Sequence, residues 1–482
     1  MKKETFQKLL QEKIVILDGA TGSNLQRRGM PSGVAPEQWI VEHKEVLIGL
    51  QKEFIEAGSE IVYAPTFSGN RIKLKEYGLE ADVEKLNRAL VAISKEAAGQ
   101  KAYVAGDVTM TGAQLEPMGD LTLKGLIEIY KEQIEFLVSA GVDLLVIETM
   151  MSLQETRAAV LAARAVCDLP IMATLSFESN EKTLYGVGAQ PAVAVLQGLG
   201  IDAVGVNCSC GPDKMIPIVQ AMKACATIPI IAKPNAGMPK LDADGTTVYD
   251  MDAEEFAGYM KTMIEQGANM IGGCCGTTPN YIRSIVEIAK ANKPIPPCEN
   301  TIDSHRTKPH VTKLHCENSH SDGIHSTKPQ NEKVYRKILL ATEREVFTFA
   351  NGQKLKVGEG INFAKNKELV KEYEDDRYDT VLELALDMKE EVDILRIETG
   401  NSGVSEKESL LAVLEEISKV ARMPCAIASN SVETIEFCLQ NFSGISAIAL
   451  NHSLQEAKTQ IKNIAKSYRA PILTIDKEII YC

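Results

Sequence analysis

Eight short apolar runs, each followed by a stretch of helical period, occupy the chain from residue 14 to about 295. They are Ile14–Asp18, Glu60–Thr66, Ala102–Asp107, Asp143–Glu148, Pro170–Ser176, Ala203–Cys208, Pro229–Lys233 and Met270–Cys275. Strand-length runs alternating with amphipathic helices specify parallel β/α units, and eight such units close into one barrel. Leu121–Ala140 shows the helical stripe, with Leu126, Ile129, Tyr130, Ile134 and Leu137 at three- and four-residue spacing. The expected architecture is therefore α/β: a (β/α)8 TIM barrel over residues 1–296.

The ends of those runs carry the chemistry. They finish in Asp18, Thr66, Asp107, Glu148, Ser176, Asn207-Cys208, Asn235 just past its strand, and Cys274-Cys275. In a parallel barrel these ends converge on one mouth, where active sites form. Cys274 and Cys275 lie in Gly272-Gly273-Cys274-Cys275-Gly276-Thr277, where the glycines permit a sharp turn that can place both thiolates on one metal. Cys208 ends the sixth run. Three soft ligands with a fourth position open match a catalytic rather than a structural zinc site. Zinc would hold a substrate thiol as a nucleophilic thiolate near neutral pH, so the plainest chemistry is alkylation of a small thiol. For an amino-acid thiol, Glu148 and Asp18 offer carboxylates for an ammonium. The turn Asp18-Gly19-Ala20-Thr21 offers backbone N–H groups for a carboxylate. A full zinc-storage site is the non-enzymatic alternative, with Cys210 as the only nearby fourth ligand.

Composition narrows the partners. A formal charge of −13 over 482 residues argues against nucleic acid, which needs a basic stripe. No apolar run is long enough for a membrane span, and Met1-Lys2-Lys3-Glu4 leads into a mixed-charge helix rather than a secretion signal. Eleven cysteines in a chain of this length read as reduced thiols, and the expected location is the cytoplasm.

Periodicity stops after Pro294-Ile295-Pro296-Pro297. Residues 297–335 read as a disordered tether in which His305-Arg306-Thr307-Lys308-Pro309 returns as His325-Ser326-Thr327-Lys328-Pro329. Its five histidines, at 305, 310, 315, 320 and 325, read with Cys316 as part of a duplicated linker rather than a metal site. Residues 336–482 form a smaller, incomplete β/α domain, partly TIM-barrel-like. A hairpin is expected from Val346–Phe349 to Lys354–Val357, then a long helix near 366–390 and a strand at Asp393–Glu398. A helix at 405–421, a strand at Cys425–Ser429, a helix near 432–441, a strand at Ile445–Leu450, a helix at 453–468 and a strand at Pro471–Ile475 follow. About five barrel-type strands cannot close a barrel, so an open sheet, a homo-oligomer or docking to another subunit must deal with the edge.

The motifs Asp18-Gly19-Ala20-Thr21-Gly22, Asn207-Cys208 and Gly272-Gly273-Cys274-Cys275-Gly276-Thr277 resemble the signatures of the homocysteine S-methyltransferases over about residues 10–295. The resemblance implies a zinc barrel that methylates homocysteine to methionine. By it, Cys208, Cys274 and Cys275 are the catalytic metal ligands, and Asp18, Gly19, Ala20, Thr21 and Glu148 hold the amino-acid end. Asn207 orients the site or fills the open metal position. Residues 337–482 are similar to the pterin-binding barrel that follows this domain in cobalamin-dependent methionine synthase, with Val357-Gly358-Glu359-Gly360-Ile361-Asn362 resembling its Gly-Glu-Arg-x-Asn opening. Gly360 replaces the arginine, and Leu395-Arg396-Ile397-Glu398 and Ala428-Ser429-Asn430 stand where that family carries aspartates, which argues against folate binding. No Asp-x-His-x-x-Gly pattern is present, and His452 stands outside such a context. A methyl-cobamide donor is therefore expected in trans, on a separate corrinoid protein. S-methylmethionine, S-adenosylmethionine or a betaine are the alternative donors.

Overall fold

A computed structural model describes residues 1–116, 118–241, 247–299, 301–303, 334–451 and 457–481. These form two compact units: 1–185 with 201–298, and 186–200 with 299–482.

The first unit is built on eight parallel strands: β1 (Val15–Ile16), β2 (Ile61–Ala64), β3 (Tyr103–Val108), β4 (Leu144–Met150), β5 (Ile171–Leu175), β6 (Ala203–Asn207), β7 (Ile230–Lys233) and β8 (Ala268–Ile271). Neighbouring strands pair in sequence order from β2 to β8, β8 pairs with β1, and the bridge from Leu17 to Ile61 joins β1 to β2. Each expected run thus forms its strand, and the TIM-barrel expectation holds. One buried cluster draws Val15, Leu17, Ile61, Tyr63, Ala105, Leu144, Val146, Met172, Ala203, Ile231 and Met270 from all eight strands. Phe6 and Leu10 of the first helix (Lys3–Glu12) join the same cluster. Strand side chains alternate with a period of two. Two residues beyond Ala105, Val146, Met172 and Ile231 stand Asp107, Glu148, Thr174 and Lys233, so the last inward layer is polar.

The second unit carries five parallel strands: β12 (Val357–Gly358), β13 (Ile394–Ile397), β14 (Cys425–Ile427), β15 (Ala447–Ala449) and β16 (Ile472–Leu473). Antiparallel β17 (Glu478–Ile480) adds beside β16, and β11 (Gln353–Lys354) pairs with β17, so the chain itself covers one sheet edge. The expected hairpin is replaced. β9 (Val334–Ala341) pairs with β10 (Val346–Ala350) around Thr342–Glu345, while Gln353–Lys354 departs to β17. The packing explains the switch. On one face of the sheet Leu395, Ile397, Cys425, Ile427, Ile448 and Ile472 meet the helices. On the other, Ile394, Ala426, Ala428, Ala447, Ala449, Leu473 and Ile479 meet Ile338, Leu340, Phe347 and Phe349 of the β9–β10 hairpin. Four alanines leave the depth that two phenylalanines fill.

The helix expected near 366–390 is two helices, Lys367–Glu374 and Asp379–Met388. Asp376 turns left-handed (φ 53°), Arg377 N–H donates to Glu372 O, and the Glu372 carboxylate accepts from Thr380 N–H at 2.9 Å. The helix at 405–421 ends in a π-helical turn, Ile417–Ala421. Thr301–Asp303, at the start of the expected tether, pairs with β9. The tether histidines, Cys316 and His452 lie outside the described residues. Among the described residues no helix is long and apolar enough to cross a membrane.

Candidate active site

The cysteine-bearing turn follows β8 rather than extending it. Cys274 N–H donates to Pro234 O at 2.8 Å, and Thr277 Oγ1 closes the turn onto Cys274 O at 2.7 Å. Glycine is required at Gly272 and Gly273: a Cβ at the first would lie 2.7 Å from Asp18 O, and at the second 2.3 Å from Thr277 Oγ1. Across the mouth, Cys208 and Ser209 adopt left-handed backbone (φ 61° and 57°), turning the chain sharply at the end of β6. Such strained residues cluster at functional sites.

These turns bring three sulfurs together. Cys208, Cys274 and Cys275 lie with their Sγ atoms within 4.8 Å of one another, and Cys208 Sγ is 3.9 Å from Cys275 Sγ. A tetrahedral zinc with Zn–S bonds of ~2.3 Å would separate two ligand sulfurs by ~3.8 Å. The donor set therefore fits zinc in both kind and spacing. Hydrogen bonding with the Cys208 thiol and then the Cys274 thiol holds the Cys275 thiol well below the usual cysteine range. Cys210 is buried and stands outside the three-sulfur group, its thiol pushed up to about 11 by burial and Asp213.

Asn207, fully buried at the end of β6, ties the cysteine turn to the carboxylates. Its Oδ1 accepts from Thr149 N–H at 2.9 Å and Thr174 Oγ1 at 2.8 Å. Its Nδ2 donates to Thr149 Oγ1 at 2.7 Å and Glu148 Oε2 at 3.3 Å, and reaches 3.9 Å from Cys274 Sγ. With its oxygen engaged twice, Asn207 bridges the cysteine turn, Thr149 and Glu148. Thr149 holds its end of this bracket in left-handed backbone (φ 60°), unusual for a β-branched residue.

A cavity of about 260 Å³ opens beside the sulfurs. Asp18, Gly19, Ala20, Thr21, Glu148, Cys208, Cys274 and Cys275 all line it. The expected residues are thus gathered at one mouth, with Asn207 directly behind them. Asn235 lies outside the cavity lining, and its Oδ1 is buried without a partner. Thr66 and Ser176 turn to the backbone, their hydroxyls donating to Asp107 O and Asn207 O. In the turn after β1, Ala20 N–H already donates to Thr277 Oγ1 at 3.1 Å.

The principal residue absent from the sequence reading is Lys233. Its Nζ donates to Asp18 Oδ1 at 2.8 Å and sits 3.6 Å from the centre of the Tyr63 ring. Burial opposes its charge, yet Asp18, Tyr63 and Glu148 carry its pKa well above the usual lysine value. The signal was available: a lysine two positions after an inward isoleucine in an apolar strand. Burial, offset in part by Lys233, raises Glu148 to about 7, and burial with Glu148 raises Asp107 strongly. Tyr249, in the hairpin Pro239–Leu241 and Thr247–Tyr249, also missed from sequence, covers Gly276 beside Cys275.

Residues 15–289 match the family profile described as homocysteine S-methyltransferase. A methionine synthase of Mycobacterium leprae (strain TN) is 25% identical over 460 residues, covering 90% of this chain and 35% of that protein. A methionine synthase of Mycobacterium tuberculosis (strain ATCC 25618 / H37Rv) is 29% identical over 307 residues, 59% of this chain and 25% of that protein. The chain thus spans about a third or less of the length of these curated relatives. The crystal structure of the homocysteine methyltransferase MmuM from Escherichia coli, metallated form, shares the barrel fold at 22% identity and a TM-score of 0.50, covering 58% of this chain and 97% of that one.

Proposed function

Because this chain belongs to the homocysteine S-methyltransferase family through residues 15–289, we propose that it transfers a methyl group to the thiol of homocysteine, giving methionine. The observation that carries this reading is the three-sulfur cluster at the edge of a small, acid-walled cavity. Cys208, Cys274 and Cys275 would hold zinc, which supplies a means of keeping a substrate sulfur deprotonated and nucleophilic.

The chain's own residues supply orientation. Glu148, fixed by Asn207, faces the ammonium of the amino acid. Both Asp18 oxygens are taken, by Lys233 Nζ and by Tyr63 N–H at 2.7 Å, so Asp18 acts by fixing Lys233. Lys233 and the turn Gly19–Thr21 then face the substrate carboxylate. The fully buried Asn207 links Glu148 to Cys274, its Nδ2 lying 3.3 Å from Glu148 Oε2 and 3.9 Å from Cys274 Sγ.

For the donor we favour a methyl-cobamide carried by a separate corrinoid protein. Similarity over 90% of the chain to a protein named methionine synthase supports methionine as the product. The second unit fills one face of its half-barrel with Phe347 and Phe349, which argues against a pterin bound there. The test is a donor panel with homocysteine and zinc-loaded full-length chain: methylcobalamin, free and protein-bound, methyl-tetrahydrofolate, S-methylmethionine, S-adenosylmethionine and betaine. Methionine from the corrinoid donor alone is the expected result. Rapid turnover with S-methylmethionine, S-adenosylmethionine or betaine would replace the donor assignment, and no methionine from any donor would remove the enzymatic reading.

A further inference from the structure

Alkylating one thiol beside three others poses a problem of selectivity. Cys208, Cys274 and Cys275 hold their sulfurs within 4.8 Å of one another at the place where the substrate sulfur must react. All are thiolates when they serve as ligands, so a methyl group presented at the mouth meets three wrong targets. A hydrogen bond to a thiolate lowers its basicity, and nucleophilicity falls with basicity. Donors aimed at the protein sulfurs alone would therefore leave the substrate sulfur the most reactive.

Tyr249 is placed to be such a donor. It closes the hairpin Pro239–Leu241 and Thr247–Tyr249, opposite Pro239. Gly276, next to Cys275, has left-handed backbone (φ 84°), and a Cβ there would lie 2.4 Å from both Cγ and Cδ2 of the Tyr249 ring. The ring is thus seated on the bare backbone of the cysteine turn, an approach that only glycine permits. Backbone bonds fix the two pieces together: Ala236 N–H donates to Cys275 O at 2.9 Å, and Met251 N–H donates to Ala236 O at 3.2 Å. The Tyr281 hydroxyl also donates to Met251 O. From this seat the Tyr249 hydroxyl shares a hydrogen bond with Cys275 Sγ. With an ordinary pKa of ~10, the phenol keeps its proton at neutral pH and is the donor. Cys275 lines the cavity and Tyr249 does not, so the hydroxyl meets the sulfur from outside the substrate space. Asn207, likewise outside the lining, brings its Nδ2 to 3.9 Å from Cys274 Sγ.

We propose that the Tyr249 hydroxyl, by donating to Cys275 Sγ, lowers the reactivity of that ligand sulfur and so directs the methyl group to the substrate thiolate, with Asn207 Nδ2 acting in the same way on Cys274. This inference rests on the function proposed above. In the intended transfer the substrate sulfur forms the S–C bond while the bond from carbon to its leaving group breaks, and the leaving group departs with the electron pair. The same displacement at Cys275 would leave S-methylcysteine in place of a ligand. Tyr249 acts through that ligand and is a positioning residue.

Methyl iodide, a methyl donor that needs no partner, tests this on zinc-loaded full-length chain without homocysteine; iodide leaves with the bonding pair. Peptide mass spectrometry follows S-methylation at each cysteine, and zinc content is measured alongside. Tyr249→Phe keeps the ring on Gly276 and removes only the hydroxyl. It should raise the rate at Cys275 about three- to tenfold, as expected when a hydrogen bond to a charged group is lost and nucleophilicity follows basicity with a coefficient of ~0.4–0.5. The rate at Cys208 should stay within about twofold. An unchanged rate at Cys275, or an equal rise at all three ligand cysteines, overturns the inference. Loss of zinc from Tyr249→Phe before any methylation also overturns it, because the hydroxyl would then serve assembly of the site. Should Tyr249→Phe fail to fold, chain carrying 3-fluorotyrosine, a stronger donor, decides: slower methylation of Cys275 supports the inference, and an equal or faster rate overturns it. Homocysteine added to wild type should be methylated faster than in free solution. If it is not, the functional reading falls and takes the inference with it, whereas unchanged Cys275 rates remove the inference alone.

Discussion

Lys233 Nζ lies 2.8 Å from Asp18 Oδ1 in an ion pair whose side chains are only 4% and 2% exposed, joining the ends of β7 and β1 across the barrel mouth. A buried pair gives little net stability over an apolar replacement, but removing one partner leaves a stranded charge. Lys233→Met should therefore destabilise the barrel by about 3–5 kcal/mol. Adding Asp18→Asn should restore part of that loss. Urea unfolding read by Trp39, the chain's single tryptophan and part of the barrel unit, measures both. Equal stability of the single and double variants would contradict a charge-coupled pair.

Glu148 sets a pH dependence. Its carboxyl, raised from 4.5 to about 7 chiefly by burial, is protonated below that pH and cannot pair with an ammonium. The advantage of homocysteine over 4-mercaptobutanoate should grow as pH rises through about 7 and then level. Below that point the change approaches about tenfold per unit. Comparing the two thiols cancels the ionisation of the thiol itself. Glu148→Gln should flatten the profile, and a profile unaltered by that change would remove Glu148 from ammonium recognition.

The metal assignment makes an asymmetric forecast among neighbouring cysteines. Cys208→Ala, Cys274→Ser and Cys275→Ser should each reduce bound zinc well below one per chain. Cys210→Ser, which alters a buried thiol outside the three-sulfur group, should leave it near one. Metal analysis after dialysis decides. Zinc loss on Cys210→Ser, with no effect of homocysteine, would favour a closed storage site.

In the second unit, Phe349 is fully buried between the hairpin and the alanine-rich sheet face. Phe349→Ala should cost that unit about 3–5 kcal/mol. Hydrogen exchange at Ala447–Ala449 should accelerate while zinc content stays constant. Unchanged protection there would mean that the hairpin adds little to this core.

The eight barrel strands were legible because a parallel strand buried on both faces reads as a continuous apolar run. The cysteine turn was legible because two thiols flanked by glycines have few structural uses. Lys233 was harder to read, since a lysine at a strand end ordinarily reaches solvent and only its inward register buries it. The same ambiguity hid Asp107, whose terminal position resembles any polar strand end. In the second unit, Asn351-Gly352 suggested a local turn between two strands, but β10 found its partner upstream and β11 found one near the end of the chain.

The sequence by itself determined the order of the barrel's strands and helices, the ring of polar strand ends and the three thiols carried on two of those ends. Those depend on local period and residue chemistry. Only the tertiary structure decided which charges meet. It joined Lys233 to Asp18 across 215 positions, bracketed Glu148 with Asn207, and left Asp107 Oδ1 and the Tyr63 hydroxyl without hydrogen-bond partners at the cavity wall. Barrel closure brings distant strand ends together, and no local pattern specifies which buried carboxylate will receive the lysine.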